Sequence, residues 1–144
     1  MCNNGDSGCI AEILKVISVL QQNAECGDAC LDTCDKGFLG NSTAPLGYNT
    51  RPVMLYTSNG NGVPWRMPIT KEYNEACDGS DNTSCVFRVE KINGNCATFR
   101  VLTPNTDPAT VATIPFEATN SFFTMNLSCC CCIRCLNDTY IECI

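Results

Sequence analysis

Two runs of alternating side chains, residues 85–92 and 96–103, meet at Asn93-Gly94, and no other feature restricts the fold as strongly. Asn-Gly tolerates positive φ and turns a chain back on itself, so the runs read as the two strands of a hairpin. Side chains alternate along a strand, and a slip of one residue would move the whole apolar set to the opposite face. A two-residue loop sets Phe87 against Arg100 and Arg88 against Phe99, mixing charge with aromatic on both faces. A three-residue loop ending at Gly94 sets Cys85, Phe87 and Val89 against Val101, Phe99 and Ala97. It also sets Val86, Arg88 and Glu90 against Arg100, Thr98 and Cys96. One face is then apolar and the other largely polar. The pattern predicts the three-residue loop, closed by a glycine bulge, with Cys85 inward and Cys96 outward.

Further runs at 52–57, 63–69, 111–116 and 122–132 read as strands, and Asn59-Gly60-Asn61-Gly62 supplies another turn. Upstream, Ile10, Ile13, Ile17 and Leu20 recur at helical spacing, with Leu14 and Val16 widening the stripe. This predicts one amphipathic helix over about 8–23 that faces a core or a partner. Its polar face carries too little positive charge for a lipid surface. Cys26, Cys30 and Cys34 would extend one helical face, but Gly27 opposes a continuing helix. Residues 1–9, polar and glycine-bearing, read as a flexible arm with Cys2 and Cys9. The expected architecture is mainly β: a single β-sandwich-like domain, 10–144, with one N-terminal amphipathic α-helix. A length of 144 residues suits one such domain.

Composition narrows the function. The chain has no histidine, which removes Ser-His-Asp and Cys-His catalysis and every nitrogen-ligated zinc site. Nine scattered basic residues against fifteen acidic ones give a net charge of −6, which argues against a nucleic-acid partner. The most apolar stretch, 10–20, is interrupted by Glu12 and Lys15, so no transmembrane span is expected. Nor does that stretch read as a secretory signal, since Asp6 and no basic residue precedes it among the arm residues. Fourteen cysteines in 144 residues nevertheless reach the density of an oxidised, secreted scaffold.

What could so many thiols do? Cys129, Cys132 and Cys135 include metal-like C-x-x-C spacings, yet the second C-x-x-C pair of a structural zinc site is missing. A thioredoxin-like role needs C-x-x-C entering a helix of an α/β fold, whereas here it follows a strand. Neighbours along a strand point in opposite directions, so one ion could not easily collect all four of Cys129 to Cys132. Adjacent cysteines are also poorly placed to bond each other. Glu72, Glu75 and Asp78 are close enough for carboxylate chemistry but read as a solvated loop. The Gly60 and Gly62 pair lacks the strand–glycine–helix setting of a phosphate cradle. Asn41, Asn82, Asn126 and Asn137 each begin an N-x-Ser/Thr triplet, in keeping with chance in an Asn- and Thr-rich chain.

Disulfides remain. One intrachain bridge contributes about 2–4 kcal/mol, while a whole domain is stable by about 5–15 kcal/mol. Two or three internal bridges would be ample, which leaves other cysteines to join subunits. Position selects Cys2, Cys9, Cys96, Cys130, Cys132 and Cys143 as intersubunit candidates. Strand parity along 123–135 turns Cys130 and Cys132 outward. It turns Cys129, Cys131 and Cys135 to the face of Phe123, Met125 and Leu127. Cys26, Cys30, Cys34, Cys77, Cys85, Cys129, Cys131 and Cys135 are then the candidates for intrachain disulfides or buried thiols.

Four stretches follow one another along the chain: Asn49 to Thr57, Phe87-Arg88-Val89-Glu90, Cys96 to Leu102, and Asn126 to Leu136. Taken together they resemble the CotY/CotZ/ExsY family of cysteine-rich spore coat crust and exosporium proteins. The likeness extends to the N-terminal helix and to Cys26, Cys30 and Cys34. It implies a structural protein, not an enzyme, with no cofactor, that self-assembles into a disulfide-cross-linked two-dimensional lattice. It also implies synthesis in the mother-cell cytoplasm and deposition on the spore surface, in the coat crust or exosporium. Its partners would be further copies of itself, in a hexamer extending to a lattice, and other spore coat or exosporium proteins. Neither nucleic acid nor membrane is implied. Oxidation after assembly would reconcile the cysteine content with the absent signal. Cys130 and Cys132 stand where the family's tails carry an aromatic and a small residue, so they look like added thiols. The family's frequent histidine-rich C-terminal extension is not found after Cys143-Ile144. The alternative reading is a cysteine-rich metal-binding thiol protein.

Overall fold

The computed structural model describes residues 8–23, 48–73 and 82–142. Helix α1 spans Cys9–Asn23. Seven strands follow: β1 Val53–Thr57, β2 Met67–Pro68, β3 Thr83–Ser84, β4 Val86–Asn93, β5 Cys96–Pro104, β6 Phe116–Asn126 and β7 Cys130–Cys135. Five of them form one antiparallel sheet in the order β6-β5-β4-β1-β7, and β2 pairs with β3 as a short ribbon. The fold is mainly β with one helix near the N-terminus, as the sequence predicts. Cys9, placed in the arm by its surroundings, is the first residue of that helix.

The helix packs where its apolar spacing directs it, but the buried line is shifted. Ala11, Leu14 and Ile17 are fully buried, while Ile10 and Ile13 pack against the core from its margin. Val16, expected to widen the buried stripe, is exposed on the far side. Near the helix end, buried Gln21 donates from Nε2 to the Val89 carbonyl at 2.8 Å and accepts from the Arg51 amide at 3.1 Å. One polar side chain thus anchors α1 to β4 and to the entry of β1.

The central hairpin keeps the predicted faces by a different device. Gly94 and Asn95 form a two-residue turn, with Gly94 at φ +62°, between Asn93 and its partner Cys96. Near the turn Lys91 pairs with Thr98 and Ile92 with Ala97; beyond it Val89 pairs with Phe99 and Phe87 with Val101. The register shift between them leaves Glu90 as the extra residue of a bulge. A two-residue turn plus a bulge restores the parity of a three-residue loop, so Phe87, Val89, Ala97, Phe99 and Val101 are all buried. The expected three-residue loop and its pairings are corrected; the facing sets stand because their burial selects the parity, except at Cys85, expected inward with Phe87 but half-buried against the Val86 and Leu102 cluster of the other face. Glu90 then reaches Arg88 Nη1 at 2.9 Å and Arg100 Nε at 3.1 Å, bridging two arginines that oppose each other across the strands.

Two other strand expectations change. In 63–69 only Met67–Pro68 is extended. Residues 111–115 are not a strand: the Val111 amide bonds the Asp107 carbonyl and the Ile114 amide the Thr110 carbonyl, which coils the segment. Asn105 closes it by donating to Thr110 Oγ1 and the Ile114 carbonyl.

The run 122–132 is not one strand either. It is interrupted by a 3-10 turn at Leu127–Cys129, capped by Asn126, whose Oδ1 accepts from the Ser128 amide at 3.0 Å. This turn joins β6 to β7, which are opposite edges of the five-stranded sheet. Asn126 and Cys130 are four residues apart and reach only about 14 Å even when extended, less than the width of a flat five-stranded sheet, so the sheet must curl to bring these ends together. Its concave face holds the main core: the α1 residues, Val53, Leu55, Phe87, Val89, Phe99, Val101, Met125 and Leu127, with Met67 and Ile69 of the ribbon region at the margin. Phe123 stands edge-on to Phe87 at 4.9 Å and stacks on Phe99 at 5.2 Å between ring centroids. On the convex face Val86, Leu102 and Ile141 form a second cluster. It is held by the segment after β7, where Asn49 exchanges two 3.0 Å hydrogen bonds with the Ile141 backbone.

Candidate functional site

The chemistry-bearing side chains gather where the edges meet. The start of α1, the β4–β5 turn, the 3-10 turn and the start of β7 surround a small cavity of about 120 Å3. Its walls include Cys9, Asn95, Leu127, Cys130 and Cys131. Cys96 follows Asn95 and lies opposite Asn126. Cys129 borders a second, more apolar cavity of about 390 Å3 with Trp65, Met67, Phe123 and Met125. Cys9, Cys96, Cys129, Cys131 and Cys132 carry free, exposed thiols.

The orientations inside the cysteine run differ from the strand expectation. Cys130, expected outward, is buried at 4% exposure, and its thiol donates to the Cys132 carbonyl at 3.4 Å. Cys129 and Cys131, expected inward, are exposed. Two events cause this. The 3-10 turn ends the alternation of β6 before Cys129. The register then shifts where Thr57 pairs with Cys130 and Tyr56 with Cys132, leaving Cys131 bulged out. After the bulge Ile133 and Cys135 return to the core side opposite Leu55 and Val53. The sequence signal for this turn is Asn126-Leu127-Ser128, since an Asn two residues before a Ser caps a turn readily; as an N-x-Ser triplet it reads only as a glycosylation motif.

The remaining candidates lie elsewhere. Cys85 is half-buried beside the convex cluster, and Cys135 is disulfide-bonded. Cys2, Cys26, Cys30, Cys34, Cys77 and Cys143 lie outside the described residues, as do Glu75 and Asp78; Glu72 is exposed. Cys129, Cys132 and Cys135, which share metal-like spacings, sit respectively on the turn, on the convex face and on the core side. Among the described residues no group of three or more histidine, cysteine or acidic side chains is placed to hold a metal ion. Among them, too, no helix is long and apolar enough to cross a membrane. The arrangement suits thiol–disulfide exchange with an outside partner, since exchange requires access to the attacking sulfur.

A mainly β chain with a cysteine-lined seam is the class of molecule these features define. The spore coat protein Z family profile matches residues 2–138, and the chain belongs to that family. Spore coat protein Z of Bacillus subtilis (strain 168) is 31% identical to it over 148 residues, spanning 94% of this chain and 93% of that protein. No solved structure matches the chain.

Proposed function

We propose that the protein is a structural component of the bacterial spore coat, a subunit that self-assembles into an ordered layer and is then cross-linked by disulfides. The observation that carries this reading is the exposure of Cys9, Cys96, Cys129 and Cys131 around one end of a folded domain. Exposed thiols there are accessible to a thiol or disulfide on another molecule. The layer would be a two-dimensional lattice, built from hexamers, in the coat crust or exosporium, after synthesis in the mother-cell cytoplasm. Other coat or exosporium proteins would share the same cross-links.

The test is imaging of purified protein by electron microscopy with and without reductant, beside non-reducing gel electrophoresis. Ordered arrays and a reductant-sensitive ladder of multimers support the reading. Protein that stays monomeric at high concentration even when oxidised overturns it.

A further inference from the structure

The chain holds three Asn-Gly pairs: Asn59-Gly60, Asn61-Gly62 and Asn93-Gly94. Glycine has no Cβ to shield its amide, so in each pair the amide nitrogen can attack the asparagine side chain and close a five-membered imide. The ring needs Cβ, Cα, C and N nearly coplanar, which sets the asparagine ψ near about −120°, the value at the first central position of a type II′ turn. The local chemistry is the same three times, and the fold makes the three differ. The Gly60 amide already donates to the Thr57 carbonyl at 3.1 Å. A Cβ at Gly60 would meet the Val63 carbonyl oxygen at 3.0 Å, so the Asn59–Gly60 peptide has little room to swing. Asn93 ends β4 and pairs with Cys96 to close the hairpin. Turning its ψ away from the strand value of about +135° would open the ladder at that pair.

Asn61 is placed differently. Asn61 has φ +53° and Gly62 φ +81°, and the Val63 amide donates to the Gly60 carbonyl at 2.9 Å, which is a type I′ turn. Among the described residues neither the Gly62 amide nor the Asn61 carbonyl has a hydrogen-bond partner. Both residues are exposed, and the space beside Gly62 is open. Types I′ and II′ share the outer hydrogen bond and differ by a half-rotation of the central peptide. That rotation carries the ψ of Asn61 to the imide value while the Val63–Gly60 bond stays closed. Gly62 accepts the negative φ that results as readily as the positive one.

We infer that Asn61 is a site of spontaneous deamidation and the first of the three to react. Hydroxide takes the Gly62 amide proton, and the nitrogen bonds to Cγ of Asn61. The Cγ–Nδ2 bond breaks, and the nitrogen leaves as ammonia with a proton from water. Water then opens the imide at either carbonyl. One opening gives aspartate; the other gives isoaspartate, in which the main chain runs through the side-chain carbon. Nothing is oxidised or reduced, and water is the only co-reactant consumed. Each event adds a negative charge to the turn, and isoaspartate also lengthens its main chain by one carbon. The turn leads to Trp65, whose amide donates to the Leu55 carbonyl at 2.7 Å and whose ring borders the apolar cavity. The change runs one way, so its extent records the age of the molecule, and it is independent of the thiols.

The test incubates the full chain with reductant in mildly alkaline buffer, once folded and once in urea, and follows the three pairs over time by peptide mass spectrometry. In urea all three are expected to react at similar rates, because each is an asparagine followed by glycine. In the folded protein Asn59 and Asn93 are expected to fall about tenfold or more behind Asn61, since each must first open locally. Both aspartate and isoaspartate should be resolved at position 61 by chromatography. The rate there should rise with pH, because the Gly62 amide must lose its proton. Asn61 reacting no faster than Asn59 or Asn93 in the folded chain overturns the assignment. Aspartate formed without isoaspartate overturns the imide route.

Discussion

Arg51 and Asp138 form a two-pronged ion pair, Nε to Oδ1 at 2.6 Å and Nη2 to Oδ2 at 2.8 Å, with both side chains about 5% exposed or less. The pair joins the entry of β1 to the segment that leaves β7. Removing one partner of a buried pair strands the other charge, which costs about 3–5 kcal/mol. Asp138→Ala is therefore expected to lower the urea midpoint by that amount times the inverse slope. The double variant Arg51→Met with Asp138→Leu should lose much less.

Glu90 owes its position to the hairpin bulge, and it neutralises two arginines at once. Glu90→Gln leaves Arg88 facing Arg100 with only amide hydrogen bonds between them. A loss of about 1.5–3 kcal/mol is expected, the range for hydrogen bonds to charged groups. Thermal unfolding at low and high salt checks it: added salt should narrow the gap from wild type, because it screens the arginine pair.

The cysteine run should react in an order set by burial. Under reducing native conditions Cys129, Cys131 and Cys132 are expected to alkylate readily and Cys130 only on unfolding. Timed labelling followed by peptide mass spectrometry reads this directly. Equal labelling of Cys130 and its neighbours would contradict the inward turn of its side chain.

Asn126 caps the turn that joins the sheet edges and also receives the Asn95 side chain at 3.1 Å. Asn126→Ala should cost about 0.5–2 kcal/mol, as for other caps. It should also raise amide exchange at Ser128 before that of the β5 core residues, which hydrogen exchange would reveal.

The helix and the central hairpin were legible because burial imposes a period on them: Leu14 and Ile17 lie one turn apart, and Phe87 and Val89 share a face with Phe99. Strand parity was legible even where the pairing was not, since a bulge at Glu90 changes partners without exposing an aromatic. The site was less legible. Cys129 to Cys132 are chemically identical, so no contrast of polarity marks which faces the core. Their orientation depends on a cap formed by Asn126 and on a bulge relative to Tyr56, a long-range relationship. At 111–115 β-type residues lose to local hydrogen bonds that the Val111 and Ile114 amides donate to the Asp107 and Thr110 carbonyls, which an apolar-run pattern does not register.

The short turn at Leu127–Cys129 also has a mechanical consequence. A bond made by Cys129 or Cys131 pulls on β6 and β7 at their shared junction, and hence on both edges of the same sheet. A pull directed along these strands would be borne side by side by the ladder to β5 and the ladder to β1. Many weak bonds resist such a pull together, where a thiol on a free loop would have opened them one at a time.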